Sequence, residues 1–301
     1  MTTLSPLRAK GDGMVRSLVL LLALGLGGAA VASAQGSAPV EKLTRTGKWV
    51  ANYDRDSCTV VAPLGEGANG VAVKFTRYAP GEQFTLAVVG NRFAEREVRV
   101  EGTADFGAAP EPLKAHGFSG EAGKYPALFF DPMRIDGWYP KQLGEIGPSI
   151  SSDQEGRVTG VTLALERKKP LRLEFGSLTA PMTVMHQCMD ALVKRWGYDP
   201  AQQAMARRRV TPKTRPQNWI DLEGYTIKPM RKGHSGIVQF RLDVDADGKA
   251  VGCFVLARTN PDEFGDRTCQ LMMKRAKFEP ALDAQGKPMR AFWVGSVNWI
   301  A

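Results

Sequence analysis

Between Gly236 and Trp299 the spacing of apolar residues changes from two, to three and four, and back to two. That ordering dictates strand, strand, helix, strand. Val238, Phe240, Leu242 and Val244 alternate with polar residues, so one strand face turns inward. Asp245-Ala-Asp-Gly248 is a turn signal, and 250–257 is the return strand. Asn260-Pro261-Asp262-Glu263 has the layout of a helix start: a capping side chain, proline at the first helical position, and glutamate three residues after the cap. Phe264, Thr268, Leu271, Met272 and Ala276 then share one helical face. A second turn, Asp283-Ala-Gln-Gly286, leads into a strand over 289–299.

The preceding residues obey a different pattern. Over 49–53, Cys58–Leu64, 71–78, 84–89, 97–101, 127–130, 158–166 and 171–175, short runs rich in Val, Phe, Leu and Thr are separated by Gly, Pro and Asp. They predict a sandwich or a curled antiparallel sheet. Met182, Met185, Met189, Leu192 and Trp196 recur at helical spacing and predict a helix that closes this domain. A chain of 301 residues, 43% hydrophobic and 24% charged, has room for two cores and is too apolar for disorder. The expected class is α+β: a β-rich domain over 47–200 closed by its helix, a basic linker over 201–218, and a β-β-α-β module over 219–301.

The N-terminus sets the compartment. Arg8, Lys10 and Arg16 precede an apolar run, and small residues follow up to Ala32-Ser33-Ala34. This predicts a signal peptide over 1–34, starting at Met1 or Met14, with cleavage before Gln35 and a flexible 35–46. An uncleaved inner-membrane anchor is the competing reading. Export to an oxidising periplasm makes the four cysteines disulfide candidates. Of three connectivities, Cys58–Cys188 and Cys253–Cys269 are expected, because each pair falls within one predicted domain. The net charge of +9 is concentrated in 194–232, where ten basic residues face Asp199, Asp221 and Glu223. Arg207-Arg208-Arg209 lies at its centre and is expected to be a solvated linker face or a weak contact for anionic lipid. Export argues against nucleic acid.

Chemical motifs are lacking. Gly65-Glu-Gly67-Ala-Asn-Gly70 is followed by a strand where a dinucleotide site needs a helix. Asp243-x-Asp245-x-Asp247-Gly248 has Phe254 where a calcium loop needs its bidentate glutamate. No Cys-x-x-Cys or His-Glu-x-x-His spacing occurs, and His116, His186 and His234 have no carboxylate or nucleophile at motif spacing. No catalytic residue, cofactor or metal is expected.

The run Gly236-Ile-Val-Gln-Phe-Arg-Leu-Asp-Val-Asp-Ala-Asp-Gly, the strand with Cys253, the helix with Cys269, and Arg275-Ala-Lys-Phe-Glu-Pro-Ala-Leu-Asp-Ala-Gln-Gly-Lys-Pro288 together resemble the C-terminal domain of TonB-family proteins. The resemblance covers about 219–300. It implies a periplasmic module whose sheet edge pairs with an extended segment of an envelope partner such as an outer-membrane receptor. The chain departs from the family in three ways: a cleavable leader, only two prolines in 201–218, and Tyr225-Thr226 where relatives have Tyr-Pro. Energy transduction therefore does not carry over. The expected activity is non-enzymatic partner binding through the last strand, with Phe292, Val294, Val297 and Trp299 as contact residues. The alternatives are attachment to anionic lipid or lipopolysaccharide through the basic linker, and a secreted enzyme with a site in the β-rich domain.

Overall fold

The computed structural model describes residues 40–95, 97–220, 230, 233–258 and 262–300. The expected signal segment, Tyr225-Thr226 and the Asn260-Pro261 helix start lie outside the described residues. Ten strands come first: β1 (Glu41–Thr44), β2 (Val50–Tyr53), β3 (Cys58–Leu64), β4 (Val71–Arg77), β5 (Thr85–Val89), β6 (Arg99–Asp105), β7 (Leu113–Ala122), β8 (Tyr125–Phe130), β9 (Gly160–Leu165) and β10 (Leu171–Glu174). In β4, Val71, Val73 and Phe75 are buried while Ala72 and Lys74 turn outward, as period-two alternation requires. The strands join in the order β1-β10-β9-β6-β7-β8-β5-β4-β3-β2, and only the β1–β10 pair is parallel.

Twist curls this sheet until its two margins meet. The chain leaves β1 on β10 and enters β2 on β3, and the Gly65 N–H donates to the Thr44 carbonyl on the way. Inside the curl, Phe75, Phe84, Phe106 and Phe175 pack edge to face. Two helices complete this part. The short α1 (Ser152–Arg157) is started by a capping box between Ser151 and Gln154. The longer α2 (Thr179–Arg195) buries Met182, Met185, Cys188, Met189 and Leu192 against the same core.

The remaining elements are α3 (Pro200–Ala204), β11 (Thr211–Pro212), β12 (Gly236–Val244), β13 (Ala250–Arg258), α4 (Glu263–Arg275), β14 (Phe278–Glu279), β15 (Ala281–Leu282), β16 (Pro288–Met289) and β17 (Ala291–Trp299). The order of the three-stranded sheet is β13-β12-β17, antiparallel throughout. One face meets α4, where Phe240, Leu242, Val297 and Trp299 pack with Phe264, Leu271 and Met272. The other face, through Leu256, Phe292 and Val294, packs on the core that contains α2.

The α+β class is therefore corrected. Strand accounts for 41% of the described residues and helix for 21%, so the fold is β-rich, dominated by one curled sheet of ten strands. In the large sheet, two strands lie where irregular chain was expected, β1 in the expected flexible N-terminus and β7 between two recognised runs. Nor does a helix close off a separate domain: α2 shares its core with side chains of the C-terminal sheet. Residues 201–218 are likewise no free linker. Arg208 and Leu282 exchange backbone hydrogen bonds, β11 pairs with β14, and Val210 is buried.

Candidate functional site

The margin of β17 was the expected docking edge. Among the described residues no strand pairs with its outer side. Its first residues are already engaged: the Tyr198 hydroxyl donates to the Ala291 carbonyl at 3.0 Å, and the Gln203 side-chain amide donates to the Arg290 carbonyl at 3.3 Å. The four expected contact residues divide between the two faces of the sheet. Val297 and Trp299 lie under α4, where the Trp299 indole stacks on Phe264 and donates to the Thr268 hydroxyl at 3.1 Å. Phe292 sits 5.2 Å from the Trp196 ring and 5.0 Å from the Tyr198 ring, and Val294 packs on the same core. These four side chains are engaged in packing, so a guest would pair mainly with the backbone of the strand.

The two sheets are joined by a buried polar centre. Arg241 donates from Nε to Asp243 at 2.9 Å, with its guanidinium 4.5 Å from the Trp196 ring and 4.3 Å from the Phe254 ring. Arg290 reaches the other oxygen of Asp243 at 3.1 Å. Burial, followed by the field of Asp243, raises the pKa of Tyr198 and keeps its hydroxyl a donor. The acidic residues resembling a calcium loop are thus otherwise employed, and Asp245 accepts from the amides of Asp247 and Lys249 in its own turn.

The basic triplet separates. Arg208 donates from Nε to the Pro280 carbonyl at 3.1 Å and approaches Glu279, while Arg209 extends to Gly81 in the field of Glu82. Arg207 stays exposed beside Gly286. Arg207 and Arg209 are exposed and Arg208 is half-buried, so the triplet keeps its contact with solvent while Arg208 is also tied to the fold.

Where the two sheets diverge, a cleft of about 330 Å³ opens between β7–β8 and the C-terminal strands. Phe118, Phe129 and Ile237 make its walls apolar, and Asp131, Ser296 and Asn298 supply polar groups. Burial raises the pKa of Asp131, and a hydrogen bond from Asn298 opposes the rise. The cleft adjoins the last residues of β17.

A second cluster was not foreseen. Arg77 ends β4, Glu82 follows in the turn to β5, Glu155 lies in α1 and His186 in α2. One ligand atom from each of Glu82, Glu155 and His186 falls within 4.8 Å of the others. His186 Nε2 is 4.0 Å from Glu82 Oε2 and 3.8 Å from Glu155 Oε1, too far for a hydrogen bond. The Ile150 amide holds the other oxygen of Glu82 at 3.4 Å. The Glu155 side chain is 3% exposed, and no hydrogen bond reaches its carboxylate among the described residues. Burial pushes its pKa up to about 7; Arg77 opposes the shift and Glu82 adds to it. Burial lowers the pKa of His186, which leaves it a neutral imidazole near neutral pH. Arg77 is 2% exposed: Nη2 stands 3.5 Å from Glu82 and 3.8 Å from the Met182 sulfur, while Nε and Nη1 are buried without a partner among the described residues.

Local folding explains the convergence. The disulfide Cys58–Cys188 fixes α2 on β3 two residues beyond His186, and Gly156 lets α1 approach Thr179 at the start of α2. The second expected pair, Cys253–Cys269, ties β13 to α4. Glu82, Glu155 and His186 come from three distant segments, so no spacing rule points to them; the one local trace is an arginine, Arg77, continuing the inward-facing row Val71, Val73 and Phe75 of β4. No protein-family model, no curated protein and no solved structure matches the chain.

Proposed function

We propose that the protein is a non-enzymatic envelope protein that binds an extended segment of a partner by strand addition along β17. The observation that carries this reading is the position of β17 at the margin of the C-terminal sheet, with no strand on its outer side among the described residues. A marginal strand offers backbone donors and acceptors that an incoming chain satisfies. Tyr198 and Gln203 already cover the start of the strand, so the guest pairs with its later residues, where the neighbouring cleft receives a guest side chain. The resemblance to TonB-family C-terminal domains supports the same reading and makes a periplasmic segment of an outer-membrane receptor the preferred partner. The two disulfides favour an exported location. Attachment to lipid through Arg207-Arg208-Arg209 is the weaker reading, since Arg208 already donates to the Pro280 carbonyl within the fold.

The test uses synthetic peptides tiled from the periplasmic segments of outer-membrane receptors. Binding is expected to protect amides of Trp293, Gly295 and Val297 from hydrogen exchange and to persist at high salt. Protection confined to other elements, or release as ionic strength rises, overturns the proposal.

A further inference from the structure

The cluster at Glu82, Glu155 and His186 is independent of the β17 margin. We infer that it is a binding site for one divalent transition-metal ion, held by the three side chains between α1, α2 and the β4–β5 turn.

Three observations carry the assignment. First, the donor set is one imidazole nitrogen and two carboxylates, which converge without bonding to one another. Ligands around a tetrahedral ion with bonds of 2.0–2.1 Å stand about 3.4 Å apart. To bind, the His186 separations of 3.8 Å and 4.0 Å and the Glu82–Glu155 separation, which lies within 4.8 Å, would have to close to that by side-chain rotation. Second, the Glu155 carboxylate is nearly fully buried and no hydrogen bond reaches it among the described residues. A buried carboxylate without a donor is costly, and a cation between the two acids removes the cost. Third, Arg77 fills that role only in part. Its charge acts on both acids from a distance, but Nη2 stands 3.5 Å from Glu82 and 3.8 Å from the Met182 sulfur, and the buried N–H groups at Nε and Nη1 have no partner among the described residues. Those donors suit an oxygen ligand, such as water, on the ion.

The site is also built to keep its shape. The Ile150 amide fixes the outer oxygen of Glu82, and the Cys58–Cys188 disulfide fixes the backbone beside His186. Metal ligands oriented by such outer partners bind more tightly. A nitrogen donor with only two carboxylates selects transition metals over Ca²⁺ and Mg²⁺, and the usual affinity order puts Zn²⁺ ahead of Mn²⁺. Occupied, the site cross-links three segments that are far apart in the chain.

The experiment uses the full, untagged, oxidised protein, stripped with chelator and titrated with Zn²⁺ by calorimetry, with Co²⁺ absorption as a second probe. One ion per chain is expected. Glu155→Gln and His186→Ala should each weaken Zn²⁺ binding at least about 100-fold, with Glu155→Gln in chelator melting no lower than wild type. Absence of stoichiometric Zn²⁺ binding overturns the proposal, as does binding that both variants leave intact. X-ray absorption of the loaded wild-type protein needs no variant. A single imidazole with oxygen ligands is expected, and two or more imidazoles place the ion elsewhere and overturn the assignment.

Discussion

Cys58 and Arg77 stand opposite each other in the β3–β4 ladder, so the disulfide that anchors α2 begins at the strand position facing the buried guanidinium. His186, two residues before Cys188, is thereby carried to the acids that surround Arg77. A covalent staple and a polar cluster occupy one end of the same hairpin.

This arrangement predicts unequal roles for the two disulfides. Closing a loop with a separation of 130 residues removes more denatured-state entropy than closing one of 16. The loop model gives about 5 kcal/mol for the first and about 3 kcal/mol for the second. Urea unfolding of Cys58→Ser/Cys188→Ser and Cys253→Ser/Cys269→Ser should rank them in that order.

The polar centre between the sheets predicts a large single-site effect. Arg241→Ala leaves Asp243 buried with only the more exposed Arg290 as a counterion. Removing one partner of a buried pair costs about 3–5 kcal/mol. Denaturant melts read the loss, and a cost below about 1 kcal/mol, the range of exposed ion pairs, would refute the role given to this pair.

Glu155 sets a pH dependence in the metal-free protein. Its folded pKa of about 7 lies above the ordinary 4.5, so the folded state holds the proton more tightly. The resulting stability is complete below about pH 4.5 and is lost as pH rises through 7, a change of about 3 kcal/mol. His186, with its lowered pKa, acts in the opposite sense, so wild type is compared with Glu155→Gln in chelator. The difference between the two curves should shift in favour of the variant as pH rises from 4.5 to 8.

Trp299 and Phe292 share a strand but support different contacts. Trp299→Ala empties a fully buried site under α4 and is expected to cost about 3–5 kcal/mol. Phe292→Ala removes a partly exposed ring from the Trp196–Tyr198 contact, for about 1–2 kcal/mol. Calorimetry of both variants should give the larger loss to Trp299→Ala.

Alternation and helical spacing by themselves determined the helix around Leu271, the strands around Phe240 and Trp293, and most strands of the large sheet. In each, the pattern of side chains exposed and buried is a property of consecutive residues. The cysteine partners followed from compartment and segment boundaries. β7 escaped because glycines at 117 and 120 resemble a turn; in the fold a Cβ at Gly117 would stand 2.2 Å from the Phe129 carbonyl, so the glycine serves close strand approach. β1 escaped because its Glu-Lys-Leu-Thr run has little apolar content and pairs by backbone. Tertiary structure alone decided the partner of Arg208, the packing of Phe292 on the α2 core, and the meeting of Glu82, Glu155 and His186. Those outcomes depend on which distant segments pack together, and packing partners leave no periodic trace in the residues they join.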